Sequence, residues 1–102
     1  MRLFALFNLK PGITPEHYEA WAKTVDIPVV NGLASVERFT VFRVTGQLGS
    51  EAPAPYQYLE IIEVKDMDEF GRDVAGDTMK SVAAAFQDMV EVTFLTSEEL
   101  AA

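Results

Sequence analysis

The feature of this sequence that most limits its possible folds is the order of its apolar segments, which prolines and glycines separate. Arg2–Lys10 is rich in residues that favour β-strands and ends at a Pro-Gly turn. Thr14 is a suitable N-cap for a helix whose first residue is proline, because that position needs no backbone N–H. This helix carries an apolar stripe with helical spacing, formed by Tyr18, Trp21, Ala22 and Val25. Pro28 and Gly32 are expected to end it, before a second predicted strand at Val36–Thr45.

The second half of the chain follows the same order of strand, helix and strand. Tyr56–Val64 has the composition of a third strand, and Asp66 with Glu69 forms a capping-box pattern at the start of a helix. Gly76 interrupts this second helical segment, and Val92–Thr96 is a short final strand. The resulting order, βαββαβ, is typical of an α+β ferredoxin-like domain, in which two helices cover one face of a four-stranded antiparallel sheet. We expect the 102 residues to form one such domain.

Both faces of the predicted sheet are apolar. A sheet with helices on one face and water on the other should alternate apolar and polar residues. Residues 3–7 are instead apolar throughout, and the third strand carries apolar residues on both faces at Leu59, Ile61, Ile62 and Val64. The uncovered face is therefore expected to pack against a second copy of the sheet, which predicts a homodimeric α/β barrel.

The composition excludes several kinds of site. The chain has no cysteine and one histidine, so disulfides, thiolate nucleophiles, iron–sulfur clusters and multi-histidine metal sites are ruled out. Sixteen acidic residues against eight basic ones give a net charge of −8, which argues against a nucleic-acid partner. The apolar runs are much shorter than the roughly 20 residues that span a membrane. We therefore expect no metal site and no membrane segment, and a cytoplasmic location.

Three segments carry a resemblance to a known family. They are FALFNLKPGITPEHYEAW, VDIPVVNGLASVERF and YQYLEIIEVKDMDEF, which follow one another without large gaps. Over about residues 2–97 the chain resembles the REDY-like (HapK) family of the dimeric α/β-barrel superfamily. The resemblance implies a ligand cleft between helices and sheet and no cofactor. It also implies that the ligand is an aromatic, pyrrole- or indole-type intermediate of prodiginine-like natural-product pathways.

Asp26 lies in a segment, VDIPV, that also resembles a stretch of the EthD-like barrels. In those proteins a histidine commonly precedes the X-Pro dipeptide, and Asp26 takes its place here. The resemblance therefore implies a carboxylate role at this position and not one that needs imidazole. Asp26 would orient His17 or a ligand N–H at the mouth of the cleft. Alternatively, it caps the short segment Ile27–Asn31.

Glu60 is the first candidate for a catalytic group. Strand alternation places it on the face expected to meet the helices, together with Tyr56, Tyr58, Ile62 and Val64. Burial in an apolar cavity would raise its pKa above the usual value of about 4.3 and suit it to acid–base catalysis near neutral pH. Alternatively, Glu60 pairs with Arg43 or Arg38 on the neighbouring strand, or the opposite register places it at the dimer interface.

His17 is the second catalytic candidate, because it lies at the edge of the apolar stripe of the first helix. A neutral imidazole there would serve as acid, base or hydrogen-bond donor to a ligand, whereas the alternative is an exposed surface histidine. Asp73, at the border of the second helical stripe, is expected to be a solvated surface residue. Candidate ligand-stacking residues are large apolar side chains of the core: Phe4, Tyr18, Trp21, Phe39, Tyr58, Met79 and Phe86.

Together these residues favour a cofactor-independent enzyme that moves protons on an aromatic pathway intermediate, by cyclisation, isomerisation or dehydration. Glu60, His17 and Asp26 are its expected catalytic residues. Two alternatives stay open. One is a non-catalytic protein that binds and shelters a reactive intermediate, and the other is an EthD-like or monooxygenase-type barrel, including a haem-binding one.

Overall fold

The chain forms a four-stranded antiparallel sheet with its helices on one face. The computed structural model describes all residues, Met1–Ala102. The strands lie in the spatial order β2-β3-β1-β4, where β1 is Arg2–Leu9, β2 is Val36–Arg43, β3 is Tyr58–Val64 and β4 is Val90–Leu95. The helices are α1 (Pro15–Trp21), α2 (Ile27–Asn31), α3 (Met67–Val74) and α4 (Asp77–Met89). A π-helical turn, Ala22–Asp26, joins α1 to α2.

The βαββαβ order and the α+β ferredoxin-like class predicted from the sequence are confirmed. Both expected caps form: the Thr14 hydroxyl accepts the N–H of His17, and the Asp66 carboxylate accepts the N–H of Glu69. Pro28 does not end the first helical segment, because it sits in the first turn of α2, where its missing N–H is tolerated. The final strand begins earlier than predicted, at Val90, since α4 passes directly into β4. No helix has the length and apolar composition needed to cross a lipid bilayer.

The helices bury one face of the sheet in two apolar clusters. In the first, Phe7 of β1 packs against Tyr18, Tyr58 and Phe86, with ring centroids 5.0 to 5.4 Å apart. The second contains five buried residues, Val30, Val36, Phe39, Ile62 and Val64. Phe86 from the first cluster and several members of the second line the same cavity, so the cavity lies where the two clusters meet.

The opposite face of the sheet, called the outer face below, carries no helix. Its strand register aligns six large apolar side chains on this side: Phe4, Leu6, Phe42, Leu59, Ile61 and Leu95. Phe42 is 48% exposed and Leu95 is 44% exposed in the single chain. An apolar surface of this kind is typical of a protein–protein contact.

Candidate active site

A cavity of about 380 Å³ lies between the helices and the sheet. Seventeen residues line it, and thirteen of them are hydrophobic. The helices contribute Val30, Phe70, Met79 and Phe86, and the sheet contributes Phe39. The cavity therefore has the volume and the apolar walls of a site for a small organic molecule.

Four polar side chains reach this cavity: Asp26, Glu60, Gln87 and Thr96. Gln87 and Thr96 are exposed, whereas Asp26 and Glu60 are 4% and 3% exposed. No lysine, arginine or histidine lines the cavity. The two buried carboxyl groups are therefore its only ionisable groups.

The register of the sheet directs Glu60 towards the helices. Glu60 in β3 lies between Ala5 of β1 and Val41 of β2, so apolar side chains flank it on both neighbouring strands. Its Oε2 atom is buried and accepts no hydrogen bond from any backbone N–H, amine or hydroxyl group of the chain. An unpaired buried carboxylate oxygen is energetically costly, and such groups are concentrated at functional sites.

Neither structural alternative for Glu60 is found. Arg43 forms its ion pair with Glu19, on the helix side of the sheet. Arg38 lies opposite Glu63, whose side chain belongs to the outer face. Glu60 therefore has no cationic partner and does not lie on the face available to a second sheet.

Asp26 reaches the cavity because the helix widens just before it. The N–H of Ile27 donates to the carbonyl oxygen of Ala22, five residues earlier, and closes the π-helical turn. Tyr18, Ala22, Asp26 and Val30 are all buried and recur every four residues. In an α-helix such a repeat drifts by about 40° per step, since one turn holds 3.6 residues. The wider turn corrects part of this drift and keeps the aspartate on the buried side.

The alternative role for Asp26, as a helix cap, is wrong. Asp26 precedes α2, but its side chain makes no hydrogen bond to the first turn of that helix. Its carboxyl group instead interacts with that of Glu60, and both residues line the cavity. A π-helical turn that presents a polar side chain to a cavity is a common feature of functional sites.

The two carboxyl groups interact, and the pKa of each is raised. Burial raises the pKa of Glu60 well above its usual range, and the neighbouring Asp26 charge and a hydrogen bond to Asp26 raise it further. Burial also raises the pKa of Asp26, to about 6, while the hydrogen bond with Glu60 opposes this rise. Burial thus favours the protonated form of Glu60 more strongly than that of Asp26. The pair titrates as a unit, with an acid and a base in contact.

Tyr18 lies beside this carboxyl pair without lining the cavity. Its side chain is fully buried, and its hydroxyl group has no hydrogen-bond partner. Burial raises the pKa of Tyr18, and the charges of Glu60 and Asp26 raise it further. Tyr18 is therefore a neutral phenol next to the pair, in the core and not in contact with a ligand in the cavity.

Three other predicted site residues lie outside the cavity. His17 is exposed on α1, so the structure does not bring it together with Glu60. Trp21 is half-buried and stacks on Phe86 at 6.3 Å, which places it in the packing behind the cavity wall. Phe4 points to the outer face, because strand alternation puts Leu3 and Ala5 on the helix side instead.

Tyr58 is also held away from the cavity, by a polar cluster between α1 and the sheet. Its hydroxyl donates to Glu19 Oε2 at 2.7 Å, and Arg43 Nε donates to the same oxygen at 2.9 Å. The hydrogen bonds from Arg43 and then Tyr58 lower the pKa of Glu19 to about 2. Burial and the bond to Glu19 raise the pKa of Tyr58 to about 12. These contacts fasten α1 to β2 and β3.

Phe39, Met79 and Phe86 line the cavity, as do residues that are not among the predicted ligand contacts. Met67 and Phe70 of α3 belong to the second group, and no residue of α3 is fully buried. The helical spacing of Met67 and Phe70 is visible in the sequence, but a helix packed against a solid core would show the same spacing. The structure distinguishes the two cases, because α3 is incompletely buried and these side chains line a cavity.

Asp73 is not the solvated surface residue expected from the sequence. Its Oδ2 accepts two hydrogen bonds from Ser35, from the hydroxyl at 2.6 Å and from the backbone N–H at 3.2 Å. Ser35 is fully buried between α2 and β2. Asp73 therefore satisfies the polar groups of a buried connection and fastens α3 to it.

Comparison with known proteins identifies the family. Residues 1–100 match the family described as REDY-like protein HapK. The chain belongs to the REDY-like HapK family. This confirms the resemblance recognised in the sequence. No protein with a curated description matches the chain significantly.

Solved structures agree with this membership. HapK from Hahella chejuensis is 32% identical, with a TM-score of 0.79 over 100% of this chain and 95% of that one. SnoaB from Streptomyces nogalater, a cofactor-independent oxygenase, is 17% identical, with a TM-score of 0.70 over 97% and 93% of the two chains. A dimeric ferredoxin-like protein from Thermobifida fusca is 15% identical, with a TM-score of 0.66 over 94% and 89%. The last two similarities concern the fold that this REDY-like HapK family member shares.

Proposed function

We propose that this chain is a cofactor-independent acid–base enzyme that acts on a small aromatic intermediate of natural-product biosynthesis. The observation that carries the proposal is the pair of buried carboxyl groups, Asp26 and Glu60, in the lining of an apolar cavity. Burial raises the pKa of Asp26 to about 6 and that of Glu60 well above its usual range, so we propose Asp26 as the base and Glu60 as the acid. Family membership supports a role in biosynthesis, and the cavity supports an apolar ligand.

The chemistry that suits this pair is a proton shift, as in an isomerisation. Asp26 removes a proton from one atom of the substrate, and Glu60 delivers its own proton to another atom as the double bond moves. The proton then returns from Asp26 to Glu60 along the hydrogen bond between them, which restores the starting state. Cyclisation and dehydration use the same two transfers, with the acid acting on a carbonyl or a leaving hydroxyl oxygen. Positioned acids and bases of this kind contribute about 10²- to 10⁴-fold each.

Phe39, Phe86 and Met79 are the residues we propose to hold the ring system of the substrate. Aromatic rings pack by offset stacking or edge to face, and methionine adapts to an irregular shape. His17 has no part in this proposal, because it is exposed on α1 and does not line the cavity. It therefore provides a matched control for substitutions of the carboxyl pair.

The test uses exchange with solvent, because this detects proton abstraction without knowledge of the natural substrate. Enolisable pyrrole and indole ketones are incubated with the protein in D₂O, and NMR follows the loss of their α-protons. We expect the wild type to accelerate this exchange over buffer. Asp26→Asn and Glu60→Gln should each lower the acceleration by about 10²- to 10⁴-fold. His17→Asn should leave it unchanged.

Two results would decide against an enzyme of this kind. Full exchange activity in both carboxyl variants would remove Asp26 and Glu60 from the reaction. Saturable binding of the same ketones without any accelerated exchange would favour the alternative, a protein that binds and shelters an intermediate. Circular dichroism and thermal melting of each variant establish that a loss of exchange is not a loss of fold.

We also propose that the chain forms a homodimer through the outer face. Related proteins of this fold are described as dimeric, and six large apolar side chains occupy this face. Ile61 lies in β3, one of the two central strands, so Ile61→Lys should give a monomer in size-exclusion chromatography with light scattering at micromolar concentration. Ala84→Lys, on the exposed side of α4, is the matched control and should stay dimeric. A monomeric wild type would refute the proposal.

A further inference from the structure

The walls of the cavity lack any positive charge. Its lining contains no lysine, arginine or histidine, and its only buried polar groups are Asp26 and Glu60. A carboxylate or phosphate group of a ligand would therefore enter without a partner and would face a buried negative charge. Burial of an unpaired charge is strongly unfavourable, and a like charge beside it adds to the cost.

The carboxyl pair receives no hydrogen bond from the rest of the chain at Glu60 Oε2. No N–H or hydroxyl group donates to that atom, and Asp26, with a pKa of about 6, is negatively charged at pH 7.5. A ligand N–H, or a protonated nitrogen, satisfies such acceptors with a charge-assisted hydrogen bond. The aromatic walls contribute a second attraction, because Phe39, Phe70 and Phe86 present rings to a cation that enters between them.

From the buried carboxyl pair and a lining that contains no cation, we infer that the cavity selects flat apolar molecules with a cationic or N–H-donating nitrogen and excludes those with an anionic group. This inference deepens the proposed function and rests on the same cavity. It does not depend on catalysis, because it concerns which ligands bind. It also restricts the substrate: an intermediate that still carries a free carboxylate would have to be decarboxylated, esterified or otherwise neutralised by a preceding reaction.

The experiment compares three probes that share one bicyclic ring and differ in charge: 2-(aminomethyl)naphthalene, 2-methylnaphthalene and 2-naphthoate. Kd is measured by quenching of Trp21, the single tryptophan, or by calorimetry at pH 7.5. Because the ring is the same, the apolar contact area is matched and the difference in Kd reports the charge of the site. We expect the amine to bind at least tenfold more tightly than the carboxylate, with the neutral probe between them.

Two carboxyl variants identify the group that carries this selectivity. Asp26→Asn should reduce the preference for the amine over the carboxylate at least tenfold. Glu60→Gln should retain most of the preference, because burial already favours the uncharged form of Glu60 and glutamine is uncharged too. Asp88→Asn removes the same formal charge from the exposed side of α4, so it controls for the net charge of −8 and should change nothing.

A change of pH gives an independent test that needs no variant. The groups facing Asp26 are Glu60 from β3 and Tyr18 from α1, and no other ionisable group lines the cavity. Protonation of Asp26 at pH 5 should therefore reduce the advantage of the amine, although the charges of the amine and carboxylate probes hardly change. The affinity of the neutral probe should stay the same at both pH values.

The outcomes separate this inference from the proposed function. Equal or tighter binding of 2-naphthoate at pH 7.5, or an unchanged preference in Asp26→Asn, would overturn the inference, while ketone exchange would still test the enzyme. The expected selectivity without any exchange would support the inference and oppose catalysis. A variant that still binds the neutral probe has retained the cavity. If Asp26→Asn no longer bound it, the affinities of the amine and carboxylate probes for the wild type at pH 7.5 and pH 5 would test the inference without that variant.

Discussion

Replacement of Asp26 by asparagine should stabilise the protein while it abolishes the proposed activity. The variant keeps nearly the same shape and can still accept a hydrogen bond from Glu60, but it cannot carry a charge. In the wild type that charge lies on a residue that is 4% exposed, beside a second carboxyl group and in a cavity lined by no cation. Folding therefore moves a solvated carboxylate into an apolar environment, which is unfavourable.

The size of the effect follows from the pKa of Asp26. Burial raises it from an ordinary value of 3.8 to about 6. This difference corresponds to about 3 kcal/mol, at 1.36 kcal/mol for each pKa unit. Because the folded state binds the proton more tightly, the stabilising contribution is complete below pH 3.8 and is lost as the pH rises through about 6. Asp26→Asn should thus match the wild type within about 1 kcal/mol near pH 3.5 and exceed it by up to about 3 kcal/mol at pH 7.5.

Urea unfolding at a series of pH values measures this difference. Trp21 is the single tryptophan and stacks on Phe86, so its fluorescence reports loss of the core next to the cavity. The protein concentration is kept constant, because the stability of a dimer depends on it. Asp88→Asn, which replaces an exposed carboxylate on α4, is the control, and its free energy of unfolding should equal that of the wild type at every pH. A wild type that is more stable than Asp26→Asn at pH 7.5, or a difference in free energy of unfolding that does not change with pH, would refute the reasoning.

Three further predictions concern other parts of the structure. Asp73→Ala should lower the free energy of unfolding by about 2 to 3 kcal/mol in urea titrations, because it leaves two donors of buried Ser35 without a partner. An equal effect from an exposed aspartate of α4 would contradict this. Ala83→Phe should weaken binding of the neutral naphthalene probe at least tenfold in calorimetry, because Ala83 lines the cavity, and unchanged affinity would exclude binding there. Arg43→Ala should move the pKa of Glu19 from about 2 towards 4.5 in an NMR titration; in the wild type, the stabilisation from this pair is present above pH 4.5 and is lost as the pH falls towards 2. An unmoved pKa would mean that Tyr58 alone holds it.

The arrangement of strands and helices could be predicted because it depends on local signals. Hydrophobic period, Pro-Gly breaks and the caps at Thr14 and Asp66 each mark an element independently of the rest of the chain. These element boundaries need no knowledge of what packs against what. Alternation along β3 places Glu60 on the same face as Tyr58 and Ile62, but only the structure shows that the helices cover this face.

The positions of Phe4 and His17 could not be predicted in this way. Alternation divides β1 into two sets, but both contain large apolar side chains, so the pattern does not tell which set the helices cover. His17 lies one position from the buried Tyr18, and about 100° of helix rotation separates an edge position from an exposed one. Burial of Asp26 could have been inferred because it lies four residues from apolar Ala22 and Val30, in the same series as Tyr18. No residue type in this segment, however, indicates a π-helical turn.

That turn also relates the carboxyl pair to the length of the chain. Removal of one residue between Ala22 and Val25 would allow the segment to continue as a regular α-helix. Each residue of an α-helix turns by about 100°, so the seven remaining steps from Tyr18 to the aspartate would amount to about 700°, within about 20° of two full turns. Among related chains, a one-residue gap in this segment would therefore mark proteins that keep the aspartate beside the glutamate with a regular helix, whereas the segment of this chain needs the wider turn to do so.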